Sequence, residues 1–230
     1  MGKAGLIAMG AGLTLLVSAP VAHGEETTVT LPLPEAECSR LQETKPDAPC
    51  VQQVTVSPPT FRNKATGATF TPLIGPTLLY LETMCDLQER CAKTAGNSTT
   101  GTCVGGSCLQ AYYPGPTWPC GTLWDTVRPA WIRRHDASGG SFWKVESHFW
   151  TSGKTCYDVE IYSTTCDQRG VGYSVNVRAC GTLSTAPGVR KQSRSDWDVS
   201  FLFAGFPMSN GIHVKMMINP MGDHWLYYGN

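Results

Sequence analysis

The sequence predicts a mainly β protein: an antiparallel sandwich or small barrel in the C-terminal half, with one helix and disulfide-stapled loops in the N-terminal half. Three observations carry this expectation. After Pro129, apolar and polar residues alternate with the two-residue period of a strand. The same half is rich in aromatic and β-branched side chains, which fit a pleated surface. Ten cysteines run from Cys38 to Cys180, an even count that reads as a disulfide framework in an exported chain.

The alternation is read directly. Tyr157, Val159 and Ile161 are apolar, with Asp158 and Glu160 polar between them. Val171, Tyr173, Val175 and Val177 alternate with Gly172, Ser174, Asn176 and Arg178. Ile212, Val214, Met216 and Ile218 alternate with His213 and Lys215, Met217 being the exception. Segments 142–150, 197–203 and 225–228 alternate less clearly but are aromatic-rich. Six strands are therefore expected, joined by turns such as Asp167-Gln168-Arg169-Gly170, in a sheet packed on one face.

The N-terminal half reads differently. Residues 25–60 carry Pro32, Pro34, Pro46, Pro49, Pro58 and Pro59, and predict extended, loop-like chain tied down by Cys38 and Cys50. Residues 76–95 predict the helix: Thr77 suits an N-cap, Leu78, Leu81, Met84, Leu87 and Cys91 recur at spacings of three and four, and Gly96 stops it. On such a helix Cys85 and Cys91 would lie roughly 9 Å apart, too far to pair with each other. Their nearest partners in sequence are Cys103, Cys108 and Cys120. Ten cysteines allow on the order of 10³ connectivities, which spacing alone does not resolve. No C-x-x-C pair occurs, so a thiolate metal site is not expected. A cut near Arg128 would leave odd numbers of cysteines on both sides, which favours one integrated domain over residues 25–230, with a Cys-rich part to 128 and a sheet part from 129.

Lys3, the uncharged run from Ala4 to Val17, Pro20 and the small-residue pattern Ala22-His23-Gly24 have the form of a secretory leader, residues 1–24. Cleavage is expected after Gly24, and the competing reading is an uncleaved anchor. No later run reaches the roughly 20 apolar residues of a spanning helix, so a secreted, extracellular protein with no membrane span is expected. Charge is balanced, 18 Lys+Arg against 18 Asp+Glu, which argues against nonspecific binding to nucleic acid or membrane surfaces. Asn97-Ser98-Thr99 fits the N-glycosylation pattern, within a Gly/Ser/Thr-rich loop, 97–107. Arg190, Lys191 and Arg194 form a basic stretch in an expected polar loop, 181–196.

No strong catalytic motif is present: no G-x-S-x-G elbow, H-E-x-x-H zinc helix or Walker-type phosphate loop. Four histidines follow the leader: His135, His148, His213 and His224. His213 lies on the polar side of its strand, and a simple sheet order would let it share a face with Glu160 and Arg178. Carboxylate, histidine and cation together supply the base, acid and charge partner that phosphodiester cleavage needs. In residue types alone the trio resembles the active sites of small secreted microbial ribonucleases, a likeness that implies RNA as substrate. The alternative is a solvated sheet face with ordinary cross-strand charge pairs. Asp223 would orient His224 only through a turn at Gly222, since neighbours on a strand face opposite ways.

Seven tryptophans and eight tyrosines remain to be placed, among them Tyr112-Tyr113-Pro114 and Trp225-Leu226-Tyr227-Tyr228. Aromatic faces stack on sugars and anchor protein partners, although most also serve a core. The first expectation is thus an extracellular binding protein that takes a cell-surface glycan or an extracellular protein through Trp225, Tyr227 and Tyr228 on a rigid β scaffold. The second is a small secreted hydrolase, a ribonuclease-like phosphodiesterase built on His213, Glu160 and Arg178, the one reading that brings a nucleic acid as partner. Neither requires a cofactor or a metal.

Overall fold

The computed structural model describes residues 26–33, 35–44, 46–73, 79–80, 109–138, 141–185, 190–203 and 206–229. The expected leader, the loop 97–107, Asn97, and Cys85, Cys91, Cys103 and Cys108 lie outside those residues. In chain order the strands are β1 (Thr27–Pro32), β2 (Val51–Ser57), β3 (Thr60–Asn63), β4 (Thr69–Phe70), β5 (Leu79–Tyr80), β6 (Leu109–Tyr113) and β7 (Leu123–Arg128). There follow β8 (Ala130–Ser138), β9 (Ser141–Lys154), β10 (Asp158–Val171), β11 (Ser174–Thr185), β12 (Lys191–Phe203), β13 (Phe206–Ile218) and β14 (His224–Gly229). Among the described residues one helix, α1 (Glu35–Thr44), links β1 to β2.

The strands form two sheets, and every pairing is antiparallel. The first runs β1-β2-β8-β9-β7-β3-β4, with β10 along the other flank of β9; the second runs β11-β12-β13-β14-β6-β5. Alternation decides what each sheet buries. Strand β9 turns Trp143, Val145, Ser147, Phe149 and Thr151 inward, and β14 turns His224, Leu226 and Tyr228 inward, all nearly solvent-free. Truncating such large buried rings typically costs about 3–5 kcal/mol each.

The interior between the sheets is not purely apolar. Tyr228 donates its hydroxyl to Gln52 Oε1 at 2.8 Å, Ser147 and Ser195 hydroxyls meet at 3.0 Å, and Thr151 Oγ1 lies 3.4 Å from His224 Nε2. The buried Arg134 guanidinium stacks 4.5 Å from the Trp143 ring and 5.0 Å from the Tyr228 ring. These contacts join one sheet to the other.

Three disulfides hold the described chain: Cys38–Cys50 closes α1 onto β2, Cys120–Cys156 crosses residue 128, and Cys166–Cys180 ties β10 to β11. Cys120 is thus paired with Cys156, which removes it as a partner for Cys85 or Cys91. The fold class agrees with the sequence, and several local expectations do not. Residues 27–32 and 51–57 are strands rather than loop, because Val29 and Leu31 reach the core and the prolines sit at strand ends or between elements. Within the expected helix, Leu79 and Tyr80 pair with Ala111 and Gln110 as a short strand, and its remaining residues are outside the described set. Asp167–Gly170 continues β10 opposite Glu146–Trp143, and the chain turns instead at Gly172, whose φ of +75° suits glycine. That turn divides the alternation 171–177 between two strands. The expected loop 181–196 supplies the end of β11 and the start of β12, with 186–189 outside the described residues.

Candidate functional site

Strand order and register bring one face of the second sheet together from four strands. Gln192, Met217, Trp225 and Tyr112 form one cross-strand row; Arg194, Lys215, Tyr227 and Gln110 form the next. Asp196, His213 and Gly229 form a third. The rings of Tyr112 and Trp225 are 5.3 Å apart, the Arg190 guanidinium sits 4.9 Å over Trp225, and Lys215 Nζ sits 5.0 Å over Tyr227. Cations over aromatic faces are attracted by the ring quadrupole, so the row is held in place before any ligand arrives. Burial and the neighbouring Asp223 carboxylate push the Tyr112 phenol up from its ordinary pKa.

Trp225 and Tyr227 therefore share this face, Trp225 and Tyr112 partly exposed on it while Tyr227 and Lys215 are covered, 7% and 3% exposed. Tyr228 does not: one residue further along the strand it points inward, 2% exposed and bonded to Gln52. His213 lies on the same outer face, its ring across Gly229, where a Cβ would come within 2.7 Å of His213 Cε1. Arg178 is exposed on β11 and pairs with Asp198 at 3.2 Å, two strands from His213. Glu160 belongs to the other sheet, opposite Ser152 on β9. The structure thus sets His213 beside the aromatic row and leaves Glu160 apart from both His213 and Arg178.

Asp223 and His224 also separate. Gly222 does turn, with φ +85°, but the Asp223 carboxylate accepts from Gly115 N at 2.8 Å and Asn219 Nδ2 at 2.9 Å. His224 is fully buried, its Nδ1 2.8 Å from Gly222 O, and desolvation drives its pKa down to about 4. The neutral ring donates from Nδ1 to that carbonyl and leaves Nε2 toward Thr151.

A second polar cluster lies on the outer face of the first sheet, and the sequence reading passed over it. Glu146 Oε1 pairs with His148 Nε2 at 2.8 Å, while Oε2 takes Arg133 Nε at 2.7 Å and Lys144 Nζ at 3.1 Å. Arg133 lies 4.7 Å over Trp131, whose ring is 5.9 Å from that of His148. Burial alone would raise the Glu146 pKa, but hydrogen bonds from His148, Arg133 and Lys144 outweigh it and hold the carboxyl well below its usual range. His135, near Arg133 and Lys144, is pushed down by burial and by those two cations. Lys144 and Glu146 alternate with buried neighbours on β9, a pattern visible in sequence; the cross-strand approach of Arg133 is not.

Glu146→Gln is expected to cost about 2 kcal/mol near neutral pH, because three charged or polar donors lose their shared acceptor. A carboxyl depressed in the folded state stabilises above its unfolded pKa and loses that contribution as pH falls through the folded value. Urea titrations of wild type and variant should therefore converge in strong acid; a constant difference down to about pH 2 would contradict the assignment.

Fold and faces together define a disulfide-stapled, two-sheet antiparallel β protein with an aromatic and cationic outer row. No protein-family model, no curated protein and no solved structure matches the chain. No helix among the described residues is long and apolar enough to cross a membrane, and no group of three or more His, Cys, Asp or Glu among them is placed to hold a metal ion.

Proposed function

We propose that this is an extracellular binding protein that takes an acidic glycan on the outer face of the second sheet. The observation that carries the reading is the partly exposed pair Tyr112 and Trp225 with the exposed Arg190 laid over it, backed by the buried pair Tyr227 and Lys215. Aromatic faces stack on the C–H faces of sugar rings, and the exposed Arg190 guanidinium meets a carboxylate or sulfate group on the same chain. Three disulfides and the leader-like start support an oxidising, extracellular setting. Calorimetric titration with uronate-containing and sulfated oligosaccharides tests it. Trp225→Ala and Tyr112→Ala should each weaken binding about fivefold or more, corresponding to about 1 kcal/mol. Unchanged affinity in both would remove this face as the site.

A hydrolytic reading has one supporting observation, the meeting of Glu146, His148 and Arg133 on one sheet face. It stands second because both Glu146 oxygens are already occupied by cationic or imidazole donors. An assay on RNA with His148→Ala and His213→Ala decides it: we expect no cleavage by wild type, and turnover lost in either variant would displace the binding reading.

A further inference from the structure

Strands β10 and β11 follow each other through a tight turn, yet β10 pairs with β9 and β11 with β12, so they belong to different sheets. Each is thus an edge strand with a row of backbone groups outside its ladder. Cys166–Cys180 clasps them a few residues from the turn. Past that bridge a groove of about 680 Å³ opens between β10 on one side and β11 with the start of β12 on the other.

Both edges are irregular near the bridge and regular along the groove. The register of β11 shifts between Val177 and Ala179 and again between Ala179 and Thr182, and that of β10 shifts between Ile161 and Ser163. Bulges of this kind blunt an edge against further pairing. Residues 158–161 and 182–185 keep regular register with their single partners, and these stretches border the groove. Four residues of strand span about 13 Å, room for a short extended segment.

The lining sets the chemistry. Val159 and Ile161 are buried beneath the edge, while Leu183 stands 62% exposed. Asp158 and Glu160 place two carboxylates on the β10 side against one cation, Lys191, on the other. The Val159 N–H is held by the Asp158 carboxylate at 2.8 Å, a contact that an incoming carbonyl can replace.

We propose that this slot docks an extended peptide from a partner protein, added as a strand against β10 or β11, and that it selects a segment in which basic side chains alternate with aliphatic ones. Main-chain bonds to the edge give the affinity, the carboxylates of Asp158 and Glu160 take the basic residues, and Leu183 is covered by an aliphatic one. The slot meets the aromatic row only at Gln192, and none of Trp225, Tyr112 and Tyr227 lines it.

The test is fluorescence anisotropy with a labelled, end-capped octapeptide of alternating lysine and valine. Wild type should bind it saturably. Glutamate in place of the lysines, N-methylation of alternate backbone nitrogens, and the double change Asp158→Asn with Glu160→Gln should each weaken binding about tenfold or more, while Trp225→Ala leaves it unchanged. Near-UV circular dichroism confirms that the variants are folded. Failure to saturate up to about 1 mM peptide, or indifference to the peptide charge or to N-methylation, would overturn the proposal. Self-association of wild type that Leu183→Asp abolishes would assign the slot to a second copy of this chain and overturn it equally.

Discussion

Complete reduction of the described bridges is expected to unfold the protein under conditions where the oxidised form is fully native. The bridges span sequence separations of 12, 36 and 14 residues. Loop-closure entropy assigns them about 3, 4 and 3 kcal/mol respectively, which together approach the whole stability of a typical domain, about 5–15 kcal/mol. The longest, Cys120–Cys156, should matter most singly. Replacing both of its cysteines by serine should lower stability by about 4 kcal/mol in guanidinium titration. Intact mass before and after alkylation establishes the redox state, and melting followed by circular dichroism gives the effect. An unchanged transition after verified reduction would show that packing alone holds the sheets.

The second large effect is acid destabilisation through His224. In the unfolded chain an imidazole titrates near 6.5, whereas in the fold burial lowers that value to about 4. Between those values the unfolded state binds the proton and the folded state does not, so stability falls as pH drops through this window and is fully present above it. The difference amounts to about 3 kcal/mol between neutral pH and pH 4. His224→Gln keeps a polar group opposite Thr151 and removes the titration. Its stability should be lower at neutral pH but flatter between pH 6.5 and 4. Equal slopes for wild type and variant would mean that the imidazole is already protonated in the fold. The window lies above that of Glu146, so the two acid losses are separable.

What could be read in the sequence followed the range over which each physical signal acts. Strand periodicity is local, and five of the six expected C-terminal segments coincide with β9, β10, β12, β13 and β14, while 171–177 is split between β10 and β11 by the turn at Gly172. The edge strand β1 escaped because its few apolar positions, Val29 and Leu31, are set among prolines that read as loop. The turn at Gly172 escaped because Asp167–Gly170 has turn chemistry of its own and is overruled by its ladder with β9. The candidate site was legible only in part. Trp225 and Tyr227 were found by composition, yet Tyr112 and Arg190 reach Trp225 from β6 and from just before β12, a proximity that no spacing encodes. Alternation alone could have placed Tyr228 inward, since it is one step from Tyr227 and two from the core residue Leu226. Glu146 and His148, two apart on one strand, form a same-face pair in the sequence, but the alternation around them is weaker than that around Glu160 and His213.

Hydrophobic contact between two sheets is nearly indifferent to sliding, because one branched aliphatic surface grips another about equally well at several offsets. Directional bonds are not indifferent. Tyr228 to Gln52, Ser147 to Ser195 and Thr151 to His224 act as dowels between two boards, and a shift by one side-chain row, about 7 Å, would unseat all three together. Their loss would leave buried polar atoms without partners, which makes every slipped arrangement costly and the seated one unique. Mild destabilisation should therefore erase the near-UV signature of the aligned rings before the far-UV signature of the strands, as alignment fails while each board remains whole.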